Sequence, residues 1–273
     1  MTGMQLTDEQ VRFFEVFGFL VLRHAFDKAE MDTIIDGYSA VLADDRSGKD
    51  FEGDKRQEVD GFLEQCPALF WLVEDDRIFC ALEQLLGPEF VWVGSDGNLY
   101  IGDTRWHPDN RDQYRRVKVA FYLDSVRRDS GCLRVIPGSH HPGYADALKE
   151  RWPLEDPRES PYGVAGFEIP SQALESDPGD VVFFNQSLFH ASYGGRSGRR
   201  MFTLNFGAQP RETTDYENLR RVYEANVAKT KGQADGSTRR YTPRDHIYSD
   251  AFLHSESPRI QRMVREVNAM GMR

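Results

Sequence analysis

Hydrophobic positions follow helical spacing near the two ends of the chain and cluster into short strand-like runs between them. Thr7-Asp8-Glu9-Gln10 forms a capping box, in which the Thr7 hydroxyl accepts from the Gln10 amide and the Gln10 side chain reaches back. Val11, Phe14 and Phe17 then share one face of a short helix, with Gly18 as its stop. Phe19-Leu20-Val21-Leu22 predicts a strand. Asp27 with Glu30 starts a second helix, whose apolar stripe is Met31, Ile34, Ile35, Tyr38, Val41 and Leu42. Residues 51–61 are charged and read as a loop, and helical segments are expected across 62–86.

From Phe90 the texture changes. Val91-Trp92-Val93, Leu99-Tyr100-Ile101, 117–123, 132–136, Phe167-Glu168-Ile169, 180–184 and 201–206 are β-rich runs punctuated by Gly and Pro. Strands without long helices between them predict a mainly β fold, an antiparallel sandwich or barrel with flanking helices. Residues 229–244 are polar and read as an exposed loop, and a weakly amphipathic helix is expected over 258–270. No internal repeat or long linker divides the chain. The expectation is one domain over 1–273, with helical support over 1–88, a β core over 89–210, and a C-terminal loop and helix over 211–273.

Composition narrows the function classes. A hydrophobic fraction of 40% and a charged fraction of 29% are those of a soluble globular enzyme. A net charge of −10 argues against a nucleic-acid binder, which needs a basic patch or stripe. No apolar run approaches the ~20 residues of a membrane helix. The first residues lack the regions of a signal peptide, so a cytoplasmic protein is expected. Cys66, Cys80 and Cys132 are scattered and odd in number, which predicts three reduced thiols rather than a disulfide framework or zinc cluster.

His107-Pro108-Asp109 carries the candidate chemistry. Residues at i and i+2 of an extended segment point the same way, so His107 and Asp109 can grip one metal while Pro108 faces away. Two imidazoles and one carboxylate form the facial triad that holds Fe(II) and leaves positions open. The third ligand must come from a distant strand, and His190 is the candidate. Two further segments accompany the triplet: Ser130-Gly131-Cys132-Leu133-Arg134-Val135-Ile136-Pro137-Gly138-Ser139-His140, and Pro178-Gly179-Asp180-Val181 leading to His190 and Arg199.

With these segments the chain resembles the phytanoyl-CoA dioxygenase family of Fe(II)/2-oxoglutarate oxygenases, from the Leu6–Gln10 and Phe17-Gly18-Phe19 opening through Ala208. The resemblance implies a double-stranded β-helix, the cupin-like jelly-roll barrel, with His107, Asp109 and His190 as catalytic iron ligands. It implies Fe(II), 2-oxoglutarate and O₂ as cofactor and cosubstrates. The implied reaction hydroxylates an unactivated C–H of a small-molecule metabolite and releases succinate and CO₂. Related halogenases replace the carboxylate with a small residue so that halide can bind, and the intact Asp109 argues against halogenation. Desaturation, epoxidation, ring formation and demethylation would use the same ligands.

Arg199, nine residues after His190, is the candidate for the far carboxylate of 2-oxoglutarate, because a guanidinium offers fixed paired donors. Arg200 would face the opposite way in a strand. Asn98 and Tyr100 share one strand face, and Lys118, Ala120 and Tyr122 another. If those faces look inward, Asn98, Tyr100, Lys118 and Tyr122 are cosubstrate-binding candidates, with ordinary packing as the alternative. Trp106 either walls the pocket or is simply buried. His140 and His141 are read as satisfied histidines of a structural turn, Asp180 as a turn residue, and His24, His246 and His254 have no role. Arg105, Arg111, Arg115 and Arg116 are either a solvated face or a rim attracting a substrate with carboxylate or phosphate. Residues 152–167 and 229–254 are lid candidates. The competing classes are a non-catalytic jelly-roll binding protein and a Zn²⁺ hydrolase on the same ligands.

Overall fold

The computed structural model describes residues 5–151, 163–231 and 238–273. Helix α1 (Asp8–Phe17) carries the Thr7–Gln10 capping box and stops at Gly18, whose φ of 82° lies in the left-handed region. Strand β1 (Phe19–Leu22) follows, then α2 (Lys28–Asp45), which starts from a second capping box between Asp27 and Glu30. Strand β2 (Arg56–Asp60), two 3-10 turns, α3 (Trp71–Glu74) and α4 (Asp76–Leu86) complete the N-terminal part. Next come β3 (Val91–Tyr100), β4 (Thr104–His107), β5 (Arg116–Tyr122), β6 (Leu133–Val135) and α5 (Pro142–Arg151). Strands β7 (Gln172–Leu174), β8 (Val181–Asn185), β9 (His190–Ser192) and β10 (Arg199–Gly207) finish the central part. Helix α6 (Thr213–Thr230), β11 (Thr238–Arg239), α7 (Asp250–Leu253) and α8 (Pro258–Ala269) close the chain.

Among the described residues the strands form two sheets. The larger runs β1-β8-β5-β10-β3-β2-β11 and the smaller β4-β9-β6-β7. Pairing is antiparallel except for β11 on β2. Alternation along the central strands divides their side chains. Val117, Val119 and Phe121 of β5, with Phe202, Leu204 and Phe206 of β10, pack outward against α2, α4, α7 and α8 in one hydrophobic core. The intervening Lys118, Ala120 and Tyr122, with Arg199, Met201, Thr203 and Asn205, face a cavity toward the smaller sheet. The larger sheet thus has a dry outer side and a polar inner side.

That polar side accounts for two departures from the expected elements, β2 and the unbroken β3. The charged segment read as a loop contains β2, whose Arg56, Glu58 and Asp60 turn to the cavity. Val91–Val93 and Leu99-Tyr100 belong to one strand, which ends before Ile101, because Asp96 faces the cavity while Gly97 makes room for Phe62, a Cβ there falling 2.6 Å from that ring. Segment 167–169 is not a strand: Gly166–Glu168 forms a 3-10 turn with Phe167 55% exposed. The expected loop over 229–244 begins inside α6 and contains β11, although 232–237 lie outside the described residues. Helix α6 buries only Asn218, Leu219 and Thr230, too few to announce it. Helix α8 is more clearly one-sided than its sequence suggested, burying Ile260, Met263, Val264 and Val267. Strands β1, β2 and β11 come from segments read as flanks, yet extend the larger sheet.

Candidate active site

Strands β4 and β9 pair so that His107 stands directly opposite His190, with ring centroids 4.3 Å apart. The Nδ1 of His107 lies 2.7 Å from the Arg105 carbonyl, and that of His190 lies 2.9 Å from the Leu188 carbonyl. A carbonyl only accepts, so each Nδ1 carries its proton and each Nε2 keeps a lone pair. Those Nε2 atoms lie 3.6 Å and 3.7 Å from the Asp109 carboxylate oxygens. One ligand atom from each residue falls within 4.8 Å of the other two. Three lone pairs thus converge with no proton between them, an arrangement that a divalent cation completes and that water satisfies poorly. Two neutral imidazoles and a carboxylate fit Fe(II), and the outer carbonyls fix both rings.

Electrostatics keep this donor set ready. Burial, and then the neighbouring His107, push His190 down to about 4, so its ring is neutral near pH 7. Burial opposes the charge on Asp109, but the Lys118 ammonium above all outweighs it and holds the group well below the usual carboxylate range. Lys118 reaches across from β5, its Nζ 2.7 Å from Asp109 Oδ2. Asp109 itself stands just past β4. Next to it, the Asn110 amide donates to Gln186 O at 2.8 Å and its side chain to Tyr114 O at 2.7 Å, tying the loop to the larger sheet. Pro108, between the two ligands, is buried.

The triad opens on a cavity of about 370 Å³ between the sheets. Arg199, only 2% exposed, enters it from β10. Its guanidinium lies 5.2 Å from the Tyr100 ring centroid and donates to Ser192 Oγ at 3.2 Å, while its Nε has no hydrogen-bond partner among the described residues. Gly131 and Gly195 form the slot it occupies. A Cβ on Gly131 would meet Arg199 Nη1 at 2.1 Å, and one on Gly195 at 1.9 Å. Arg200 turns the other way and pairs with Asp124 at 2.8 Å.

The family described as Phytanoyl-CoA dioxygenase (PhyH) matches residues 14–202, most of the chain. The chain belongs to this family. A curated relative, a "Probable phytanoyl-CoA dioxygenase" of Caenorhabditis elegans, is 23% identical over 228 residues, covering 71% of this chain and 72% of its own. Solved structures share the fold. HygX from Streptomyces hygroscopicus with nickel and 2-oxoglutarate bound has a TM-score of 0.57 at 18% identity, covering 76% of this chain and 88% of its own. EctD from S. alaskensis with bound Fe has a TM-score of 0.58 at 21% identity, covering 76% of this chain and 79% of its own. The mainly β, jelly-roll architecture expected from the sequence is therefore shown. The PhyH match stops within β10, so α6, which supplies Val222, Asn226 and Lys229 to the cavity, lies beyond it.

Against this PhyH frame the other candidates separate cleanly. Tyr100, Lys118 and Tyr122 line the cavity. Asn98 does not; it is fully buried, its Oδ1 accepting from Arg56 at 2.8 Å and its Nδ2 donating to Asp96 at 2.6 Å. Trp106 is buried away from the cavity and donates to Gly166 O at 2.8 Å. His140 and His141 bind the Glu15 and Val16 carbonyls at 3.1 Å, closing the C-terminal turn of α1. Asp180 accepts from the His24 amide and from Arg23, holding the entry to β8. Of the four arginines near the triplet, Arg116 alone lines the cavity. The sequence reading missed Arg56, Glu58, Asp60, Asp96, Gln186 and Asn205 in its walls. Their signal was polar residues at alternate positions, which also describes a solvated strand face.

Proposed function

We propose that this PhyH-family protein is an Fe(II)- and 2-oxoglutarate-dependent dioxygenase that hydroxylates a C–H of a small, polar metabolite and releases succinate and CO₂. One observation carries the reading: three proton-free ligand atoms converge in the cavity that also holds the buried guanidinium of Arg199. His107, Asp109 and His190 hold the iron. Iron held there supplies O₂ activation coupled to oxidative decarboxylation of the 2-oxo acid. Arg199 receives the far carboxylate with paired donors. Burial pushes the Tyr100 and Tyr122 phenols up, so both stay protonated and can donate to the cosubstrate. Lys118 keeps Asp109 ionised and fixes its orientation.

HygX with 2-oxoglutarate and EctD with Fe support the cofactor assignment, and intact Asp109 speaks against halogenation. The cavity volume, near the lower end of the roughly 300–1,000 Å³ usual for ligand sites, must take cosubstrate and substrate together. Its walls beyond the triad are mostly polar, which suits a compact metabolite better than a long acyl chain. Among the described residues no helix is long and apolar enough to cross a membrane. The free thiols of Cys66, Cys80 and Cys132 fit a reducing compartment such as the cytoplasm. Succinate formation from 2-oxoglutarate in air tests the reading. It is expected with Fe(II), and not with Zn²⁺ or in His107→Ala and Asp109→Ala. Turnover that survives either substitution would overturn the assignment, and a hydrolytic activity supported by Zn²⁺ would favour the zinc alternative.

A further inference from the structure

Arg116 begins β5, and its side chain enters the active-site cavity. The residue is 5% exposed, its Nε has no hydrogen-bond partner, and no ion pair joins it to a carboxylate among the described residues. The nearby acids are already engaged: Asp109 by Lys118, and Asp112 by Arg221 and Asn218. Arg56, another cation of the same cavity, is matched by Glu58 at 2.9 Å. Asp109 and Asp112 offset the desolvation of this guanidinium only in part, and with no carboxylate paired directly to it the group is placed as in a site awaiting an anion.

The cosubstrate does not supply that anion if Arg199 holds it. In register, Arg116 stands opposite Gly207, eight residues along β10 from Arg199. That separation is on the order of 26 Å between Cα atoms along the extended strand, so the two arginines enter the cavity from opposite ends of the wall that β5 and β10 form. Around Arg116 the wall is polar. The Gln186 amide N–H donates to the Arg116 carbonyl at 3.0 Å, and the Gln186 side chain donates to Asn205 at 3.0 Å.

We propose that Arg116 is a specificity-determining residue that receives a carboxylate or phosphate of the substrate, making the substrate an anionic metabolite whose charged end lies across the triad from Arg199. The proposal rests on the oxygenase reading for the word substrate, while the anion site itself can be measured without turnover.

Anaerobic calorimetry on the protein loaded with Fe(II) and 2-oxoglutarate, so that Arg199 is occupied, provides the test. Chloride is replaced at constant ionic strength by sulfate, a tetrahedral probe for phosphate, or by acetate, a planar probe for carboxylate. At least one is expected to bind the wild type, ten-fold or more weaker to Arg116→Gln, and with intermediate strength to Arg116→Lys. The tighter probe identifies the class of anion. Arg116→Gln is expected to bind 2-oxoglutarate within two-fold of wild type and to melt no lower. Equal binding of both probes to wild type and Arg116→Gln, absence of binding to either, or a loss of 2-oxoglutarate affinity in Arg116→Gln would overturn the proposal. If the wild type binds no 2-oxoglutarate, the oxygenase reading fails separately, and the anion comparison on the same protein still decides for Arg116.

Discussion

Replacing Arg199 by Gln is expected to weaken 2-oxoglutarate binding about 100- to 1,000-fold. The guanidinium is buried, keeps one good internal bond to Ser192 Oγ at 3.2 Å, and reaches the Gly102 carbonyl only at 3.5 Å. Donors therefore remain for a carboxylate. Two hydrogen bonds to charged groups contribute about 1.5–3 kcal/mol each, and the Gln amide regains about 1 kcal/mol through one neutral bond. The net loss is about 2–5 kcal/mol with a midpoint near 3.5 kcal/mol, at about 1.4 kcal/mol for each tenfold change. Arg199→Lys keeps the charge but not the fork, so a loss of about ten-fold is expected. Arg200→Gln is the control. It removes a mostly buried pair with Asp124, so some stability is lost, but it should leave cosubstrate affinity within two-fold. Anaerobic calorimetry of 2-oxoglutarate into the Fe(II)-loaded proteins reads all three. Wild-type affinity in Arg199→Gln, or a loss confined to Arg200→Gln, would refute the assignment.

Gly131→Ala should act on the same group from a distance: the φ of 90° and the 2.1 Å approach to Arg199 Nη1 force the guanidinium aside, so 2-oxoglutarate affinity should fall ten-fold or more while metal content holds. Unchanged affinity would show that the slot is not needed. Glu64 makes a pH prediction. Burial raises it from an ordinary 4.5 to about 7, while Ser95 and Trp92 hydrogen-bond it. The folded state therefore holds the proton more tightly than the unfolded chain. This stabilisation is fully present below pH 4.5 and is lost as pH rises toward 7, by up to about 3 kcal/mol. Urea unfolding at pH 5 and pH 7 should show that decline in wild type and a flatter profile in Glu64→Gln; equal slopes would reject it. For Arg116, the anion titrations should separate wild type from Arg116→Gln as set out above.

Much of the architecture was legible because local chemistry agrees with the global fold. Thr7 and Asp27 announce their helices through side chains that satisfy the first amides, and Gly18 ends α1 with a φ that other residues avoid. The triad was legible because a His-x-Asp in an extended segment needs a neighbour strand, and β9 provides it with His190 opposite His107. Simple alternation separated Arg199 from Arg200. What escaped was polar structure facing inward. Alternation rules assign polar residues to solvent, yet β2 and the middle of β3 turn theirs to a charged cavity. Asn98 has the right parity but spends its amide on Arg56 and Asp96. Helix α6 has too narrow an apolar stripe to stand out. Arg115 and Arg116 are adjacent in sequence, and only burial distinguishes the exposed one from the one enclosed in the cavity.

The visible spectrum of the anaerobic, Fe(II)-loaded protein before and after 2-oxoglutarate tests the central claim most directly. A broad charge-transfer band of an iron-chelated 2-oxo acid is expected in the wild type, and none in His107→Ala or Asp109→Ala. Wild-type protein that holds stoichiometric Fe(II) and develops no band would contradict the assignment.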